Sequence, residues 1–173
     1  QTEVTQENDE ILETSQKYSD LNGMGTTIVV TIILENQFIV AHLGDSRCYL
    51  FKGNELKQLT SDHSLVNELI KKGELSPEEA RTHPQKNIIT KTLGISANSD
   101  IDVHTYAWKH DDQLLLCTDG LTNMVTDQII ANVLESSITL EEKCLKLIEF
   151  ANQAGGRDNV TVLLIQADDG VTK

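Results

Sequence analysis

Four short apolar runs follow one another between Thr26 and Leu59, separated only by Glu35-Asn36-Gln37, Gly44-Asp45-Ser46 and Lys52-Gly53-Asn54. A parallel crossover needs roughly a dozen residues, so connections this short force antiparallel pairing. The runs Thr26 to Leu34, Phe38 to Leu43, Arg47 to Phe51 and Glu55 to Leu59 are therefore expected to form an antiparallel meander. The first, rich in β-branched residues, reads as a buried strand. Further strands are expected at Ile101 to Tyr106, Gln113 to Thr118 and Asn159 to Gln166.

Around these runs the hydrophobic period becomes helical. Residues 1 to 20 contain no Gly or Pro and place Ile11, Leu12 and Tyr18 among polar neighbours, which predicts a partly amphipathic helix with Asp9, Glu10 and Glu13 on its solvated face. Leu65, Val66, Leu69 and Ile70 predict a helix ending at Gly73, and Ser76-Pro77-Glu78-Glu79 a capping box opening another. A helix after Thr126 should bury Ile129, Ile130, Val133 and Leu134. One after Thr139, boxed by Glu142, should bury Leu140, Cys144, Leu147, Ile148 and Ala151. The tail Ala167 to Lys173 should fray. Helices covering hairpin-linked strands make an α+β layered fold with antiparallel sheets. Without repeats or linkers, residues 1–173 read as a single domain.

Charge narrows the partners. The 173 residues carry 14 Lys+Arg against 27 Asp+Glu, a formal net charge of −13. That balance opposes attraction to phosphate backbones and anionic lipid, so no nucleic acid is expected as partner, while cations and basic partners are favoured. The longest nearly apolar run, Ile28 to Leu34, falls far short of the roughly 20 residues a spanning helix needs, so no membrane insertion is expected. The start QTEVTQENDE lacks signal-peptide regions and an initiator Met, as in a processed product or fragment. Cys48, Cys117 and Cys144 are odd in number and widely spaced, which fits reduced core thiols and a cytoplasmic location.

Acidic residues fall at strand ends. Asp119 follows Leu114-Leu115-Leu116-Cys117, and Asp158 stands between Gly155-Gly156-Arg157 and the last strand. If those strands are antiparallel neighbours, both carboxylates reach one edge of the sheet. Asp62, where a helix begins, is a third candidate for that rim. Clustered carboxylates call for hard divalent cations, which activate water and stabilise phosphoryl charge. Taken singly, however, Asp-Gly and Gly-Arg-Asp-Asn are turn sequences, and Asp62 reads as a helix cap. His42 and Trp108 read as structural, and His63 as a cap or a local hydrogen-bonding group.

The ordered set Gly23-Met24-Gly25-Thr26-Thr27, Gly44-Asp45-Ser46-Arg47, Thr60-Ser61-Asp62-His63-Ser64, Thr118-Asp119-Gly120-Leu121 and Gly156-Arg157-Asp158-Asn159-Val160-Thr161 resembles the metal-dependent serine/threonine protein phosphatases of the 2C type. It is most similar to the compact bacterial members, which also carry a stretch like His83-Pro84-Gln85-Lys86-Asn87. The resemblance implies a four-layer sandwich, two central antiparallel sheets flanked by helices, with a dinuclear Mn²⁺ or Mg²⁺ centre. It implies Asp119 and Asp158 as catalytic metal ligands, and Asp62 with Asp119 as ligands of a third ion. Gly120 and Asn159 would support the site, residues 65–93 would form a flap, and His83 would influence substrate engagement. The implied reaction is hydrolysis of phosphoserine and phosphothreonine in proteins by metal-activated water, on substrates of a Ser/Thr kinase.

The family's N-terminal strand pair, with a phosphate-gripping Arg and an Asp-Gly-x-Gly-Gly element bridging both metals, has no match in residues 1 to 22. The chain therefore resembles the C-terminal portion of a catalytic domain, expected to be a poor enzyme alone and to self-associate through exposed sheet edges. The alternative is a non-catalytic module on a phosphatase-like scaffold that binds phosphoproteins or another partner.

Overall fold

A computed structural model describes residues 2–96 and 100–168. The strands are β1 (Ile28–Ile33), β2 (Gln37–Leu43), β3 (Arg47–Lys52), β4 (Glu55–Gln58), β5 (Asp102–Ala107), β6 (Gln113–Cys117) and β7 (Val162–Gln166). The helices are α1 (Thr2–Lys17), α2 (Leu65–Lys71), α3 (Pro77–Thr82), α4 (Asp119–Thr122), α5 (Asp127–Glu135) and α6 (Leu140–Gln153). Two sheets form, in the orders β1-β2-β5 and β4-β3-β6-β7. The expected continuous meander is corrected at Gly44: β2 and β3, although separated by three residues, belong to different sheets. Gly44 allows this with φ +111°, and a Cβ there would lie 2.3 Å from Thr27 Cγ2, so the turn passes where a larger residue could not.

The chain divides into two compact units. One comprises Ile32–Val40, Arg47–Thr60 and Thr105–Lys173, and holds the four-stranded sheet. Its central strand β6 is buried at every position, as a run of apolar residues without alternation requires. One face, with Tyr49, Phe51, Leu115 and Cys117, packs on Leu121, Val125, Ile130, Val133, Leu134, Leu147 and Ala151 from α4, α5, α6 and their connections. Each such Leu or Ile contributes about 1.5–3 kcal/mol on burial, so this face carries much of the unit's stability. Ile129, expected inward, is exposed instead, because α5 turns Ile130, Val133 and Leu134 to the sheet and leaves Ile129 on the far side. Phe38 stacks on Tyr106 and meets Trp108 edge-on, with both ring pairs 5.5 Å apart.

The second unit comprises Gln1–Thr31, Ala41–Ser46 and Ser61–His104. Asn8 on α1 is fully buried, donating from Nδ2 to the Ser96 carbonyl at 3.0 Å and accepting the Gly94 amide at 2.9 Å. It ties the helix to the loop beyond Leu93, a polar anchor in a helix expected to bury only sparse apolar positions. Helix α3 has the expected capping box of Ser76 and Glu79, and α6 that of Thr139 and Glu142.

Two further expectations change. The β1 strand is not buried: Val30, Ile32 and Ile33 are exposed, since β1 ends its sheet's order. At the other end of the chain Ala167 does not fray, because its amide and carbonyl bond Asp112 and Asp111 and its side chain is buried. Residues 169–173 of the expected tail lie outside the described residues.

Candidate active site

Strands β6 and β7 are antiparallel, with Cys117 opposite Val162, so the end of β6 and the start of β7 share one edge of their sheet. Thr118 extends the ladder: its amide donates to the Thr161 carbonyl at 3.2 Å, and its hydroxyl accepts the Thr161 amide at 3.0 Å. Asp119 then opens α4, a short helix where the sequence predicts only a turn. Behind it, a Cβ on Gly120 would lie 2.2 Å from the Asn159 carbonyl oxygen. Glycine is thus what lets the backbone carrying Asp119 approach the backbone carrying Asp158 and Asn159. The Asn159 amide donates to Asp158 Oδ1 at 2.7 Å, orienting that carboxylate.

The electrostatics record the same convergence. Burial raises the Asp119 carboxyl above its ordinary range and the Asp158 charge raises it further, while the Gly120 amide, Asn123 and Arg47 pull it back. Asn123 Nδ2 donates to Asp119 Oδ2 at 2.9 Å. Two carboxylates whose charges oppose one another, on a rim of oxygen donors, fit a hard divalent cation of the Mg²⁺ or Mn²⁺ kind.

Arg47 is held from behind. Its guanidinium donates to the Tyr49 hydroxyl at 2.9 Å, and that hydroxyl donates to Asp127 Oδ1 at 3.3 Å. Burial drives the phenol well above its ordinary range, so it stays protonated and keeps donating. Sequence reasoning missed Tyr49 and Asp127, because nothing in a strand and a helix start 78 residues apart marks them as partners.

Asp62 belongs to the other unit, half-buried in the loop before α2. Its reading as a helix cap is corrected: Ser64 caps α2, its hydroxyl accepting the Asn67 amide at 3.4 Å. The Asp62 contribution to the helix is its carbonyl, which accepts Asn67 Nδ2. His83 is the residue after α3, and its Nδ1 accepts the Gln85 amide at 3.1 Å. In this same unit His42, His63 and Asp102 bring three potential ligand atoms within 4.8 Å of one another. The sequence signal for that group is slight, a histidine interrupting the apolar run of β2.

Residues 2–69 match the Protein phosphatase 2C family, and residues 70–168 match the Stage II sporulation protein E family. The Serine/threonine phosphatase stp of Listeria monocytogenes is 46% identical over 168 residues, covering 97% of this chain and 67% of that protein. The chain belongs to the protein phosphatase 2C family. The serine/threonine phosphatase of S. agalactiae superposes with a TM-score of 0.90 at 45% identity, over 95% of this chain and 68% of that one. The catalytic domain of the serine threonine protein phosphatase PstP, in complex with 2 manganese ions, superposes at 0.85 and 34% identity, over 94% and 67%. The chain thus spans about two thirds of the length of these relatives. As a 2C-type chain it has the expected α+β architecture of two antiparallel sheets flanked by helices. No helix among its described residues is long and apolar enough to cross a membrane.

Proposed function

We propose that this chain is the C-terminal portion of a single catalytic domain of a metal-dependent protein serine/threonine phosphatase acting on phosphoserine and phosphothreonine in proteins. The observation that carries the proposal is the approach of Asp119 and Asp158 at one sheet edge, where the Asp158 charge raises the Asp119 carboxyl. Asp119 and Asp158 would hold the metal, Mn²⁺ or Mg²⁺, which supplies an activated water and stabilises charge on the phosphoryl group. Asn159 orients Asp158 through its amide, and Asn123 orients Asp119 through its side chain. Gly120 keeps the two segments close, and Arg47, backed by Tyr49, tempers the negative rim. Asp62 is proposed as a further ligand, with residues 65–93 as a flap carrying His83 toward the substrate. The substrates are proposed to be phosphoproteins made by a Ser/Thr kinase. The three free cysteines suit a cytoplasmic setting.

The test is a Mn²⁺ titration of phosphopeptide and p-nitrophenyl phosphate hydrolysis, with this chain and with the chain extended by its native upstream residues. Metal-dependent turnover in the extended form, abolished by Asp119→Ala and by Asp158→Ala with the fold intact, is expected. Full activity in either variant, or none in either length of a folded protein, overturns the proposal.

A further inference from the structure

The buried pair His42 and His63 belongs to the unit that does not carry Asp119 and Asp158, and its hydrogen bonds decide what it does. The two rings are parallel to within 2°, with centroids 4.9 Å apart. His63 Nδ1 lies 3.1 Å from the Gly44 amide nitrogen, which can only donate. That nitrogen therefore carries a lone pair, and the neutral ring carries its proton on Nε2, 3.3 Å from Asp102 Oδ2. His42 Nε2 lies 3.1 Å from the Ser61 carbonyl, which can only accept, so its proton is on Nε2 as well.

This accounting separates two readings of the His42–His63–Asp102 group. A metal-ligating imidazole ordinarily donates its second ring N–H to a neighbour, whereas the second nitrogen of His63 receives an N–H. Binding a metal through Nε2 would strip the proton from an imidazole whose other lone pair is already in use. His63 is thus built as a hydrogen-bonding group, and its connections converge on one loop. The His63 amide donates to the Gly44 carbonyl at 2.9 Å, which makes a reciprocal clasp with the Gly44-to-Nδ1 bond. The His63 carbonyl accepts the Thr90 amide at 2.8 Å, at the returning end of residues 65–93. One residue earlier, Asn67 Nδ2 holds the Asp62 carbonyl and bonds Ser61 Oγ at 3.1 Å.

We infer that His63 is a positioning residue for Asp62: its neutral Nε2–H ring clasps the Gly44-Asp45-Ser46 turn and Asp102, and so fixes the backbone from which the Asp62 carboxylate projects. The same clasp ties that carboxylate to the returning end of the flap segment through Thr90. The inference rests on the phosphatase reading for its effect on turnover, but not for its structural content. Asn at position 63 can supply Oδ1 in place of Nδ1 and keep the Gly44 bond, whereas Gln reaches Asp102 but places no acceptor at Nδ1.

Long-range ¹⁵N–¹H spectra of the imidazoles and amide exchange at Gly44 test the clasp in the chain itself, with or without catalysis. An unprotonated His63 Nδ1 and a Gly44 amide that exchanges about tenfold faster in His63→Gln than in His63→Asn are expected. A protonated Nδ1, or equal exchange in both variants, overturns the clasp. Titration with Co²⁺ is expected to give no tetrahedral absorption that disappears in His42→Ala, and such a band would make the group a metal centre instead. In the active, upstream-extended form, His63→Gln should lower kcat about tenfold with KM nearly unchanged, and His63→Asn should restore most of it. In the Asp62→Ala background the same His63→Gln change should have almost no further effect. Additive losses would mean that His63 does not act through Asp62. If no form turns over, the spectra and exchange still decide the clasp, and only the phosphatase reading falls.

Discussion

Asp119 places a carboxyl where the fold opposes its charge. Its carboxyl is raised first by burial and then by Asp158, so ionising it in the metal-free chain is unfavourable. Asp119→Asn should therefore raise the urea midpoint of the metal-free chain while abolishing metal-dependent turnover in the extended form, the usual exchange at a built site. A lowered midpoint would show that the half-buried carboxylate stabilises the fold. Tyr49→Phe tests the support behind Arg47. It removes the phenol that accepts from Arg47 and donates to Asp127, and it should cost about 1–2 kcal/mol in urea unfolding without altering the packing of the ring. That the segments carrying Asp119 and Asp158 share one sheet edge was legible in the sequence, because Asp119 follows an apolar run and Asp158 stands shortly before the last one. Tyr49 and His63 were not, because their roles lie in partners that no local pattern names.

Elements behave as their local chemistry dictates, and their ends are the sensitive points. In the capping boxes, Ser76 holds Glu79 below the ordinary glutamate range, and Thr139 does the same to Glu142, each first through its backbone amide and then its hydroxyl. A depressed carboxylate contributes stability that is present above its unfolded value and lost as pH falls through the folded one. Amide exchange in the first turns of α3 and α6 should therefore accelerate as the pH drops below the ordinary glutamate range, ahead of global unfolding. Thr139→Ala should cost about 1 kcal/mol and reduce the acid sensitivity of α6 without removing it, because the residue 139 amide still donates to Glu142. Helices α3 and α6 are readable from such boxes and from their apolar spacing. The β6 strand is readable from its uninterrupted apolar run, and Leu115→Ala should cost about 2–5 kcal/mol in chemical denaturation, because Leu115 is fully buried. Burial of β1 was misread because β-branched composition reports strand preference, not what covers the strand.

At the scale of the whole chain, β1 presents Val30, Ile32 and Ile33 to solvent, with Ile32 54% exposed. Sedimentation of the isolated chain should show concentration-dependent association, and Ile32→Lys should reduce it; a monomer at all concentrations would count against association through this strand. The order of motifs, from Gly44-Asp45-Ser46 through Thr118-Asp119-Gly120 to Gly156-Arg157-Asp158-Asn159, was enough to point to the family. Pattern along the chain also determined the antiparallel strands, the capped helices and which carboxylates could meet. Only the tertiary structure decided that β2 and β3 part into different sheets, because a three-residue turn constrains direction but not hydrogen-bonding partner. Only it decided that Gly120 passes against Asn159, and that His63 Nδ1 accepts a hydrogen bond from the Gly44 amide, because both depend on approach distances between segments far apart in sequence.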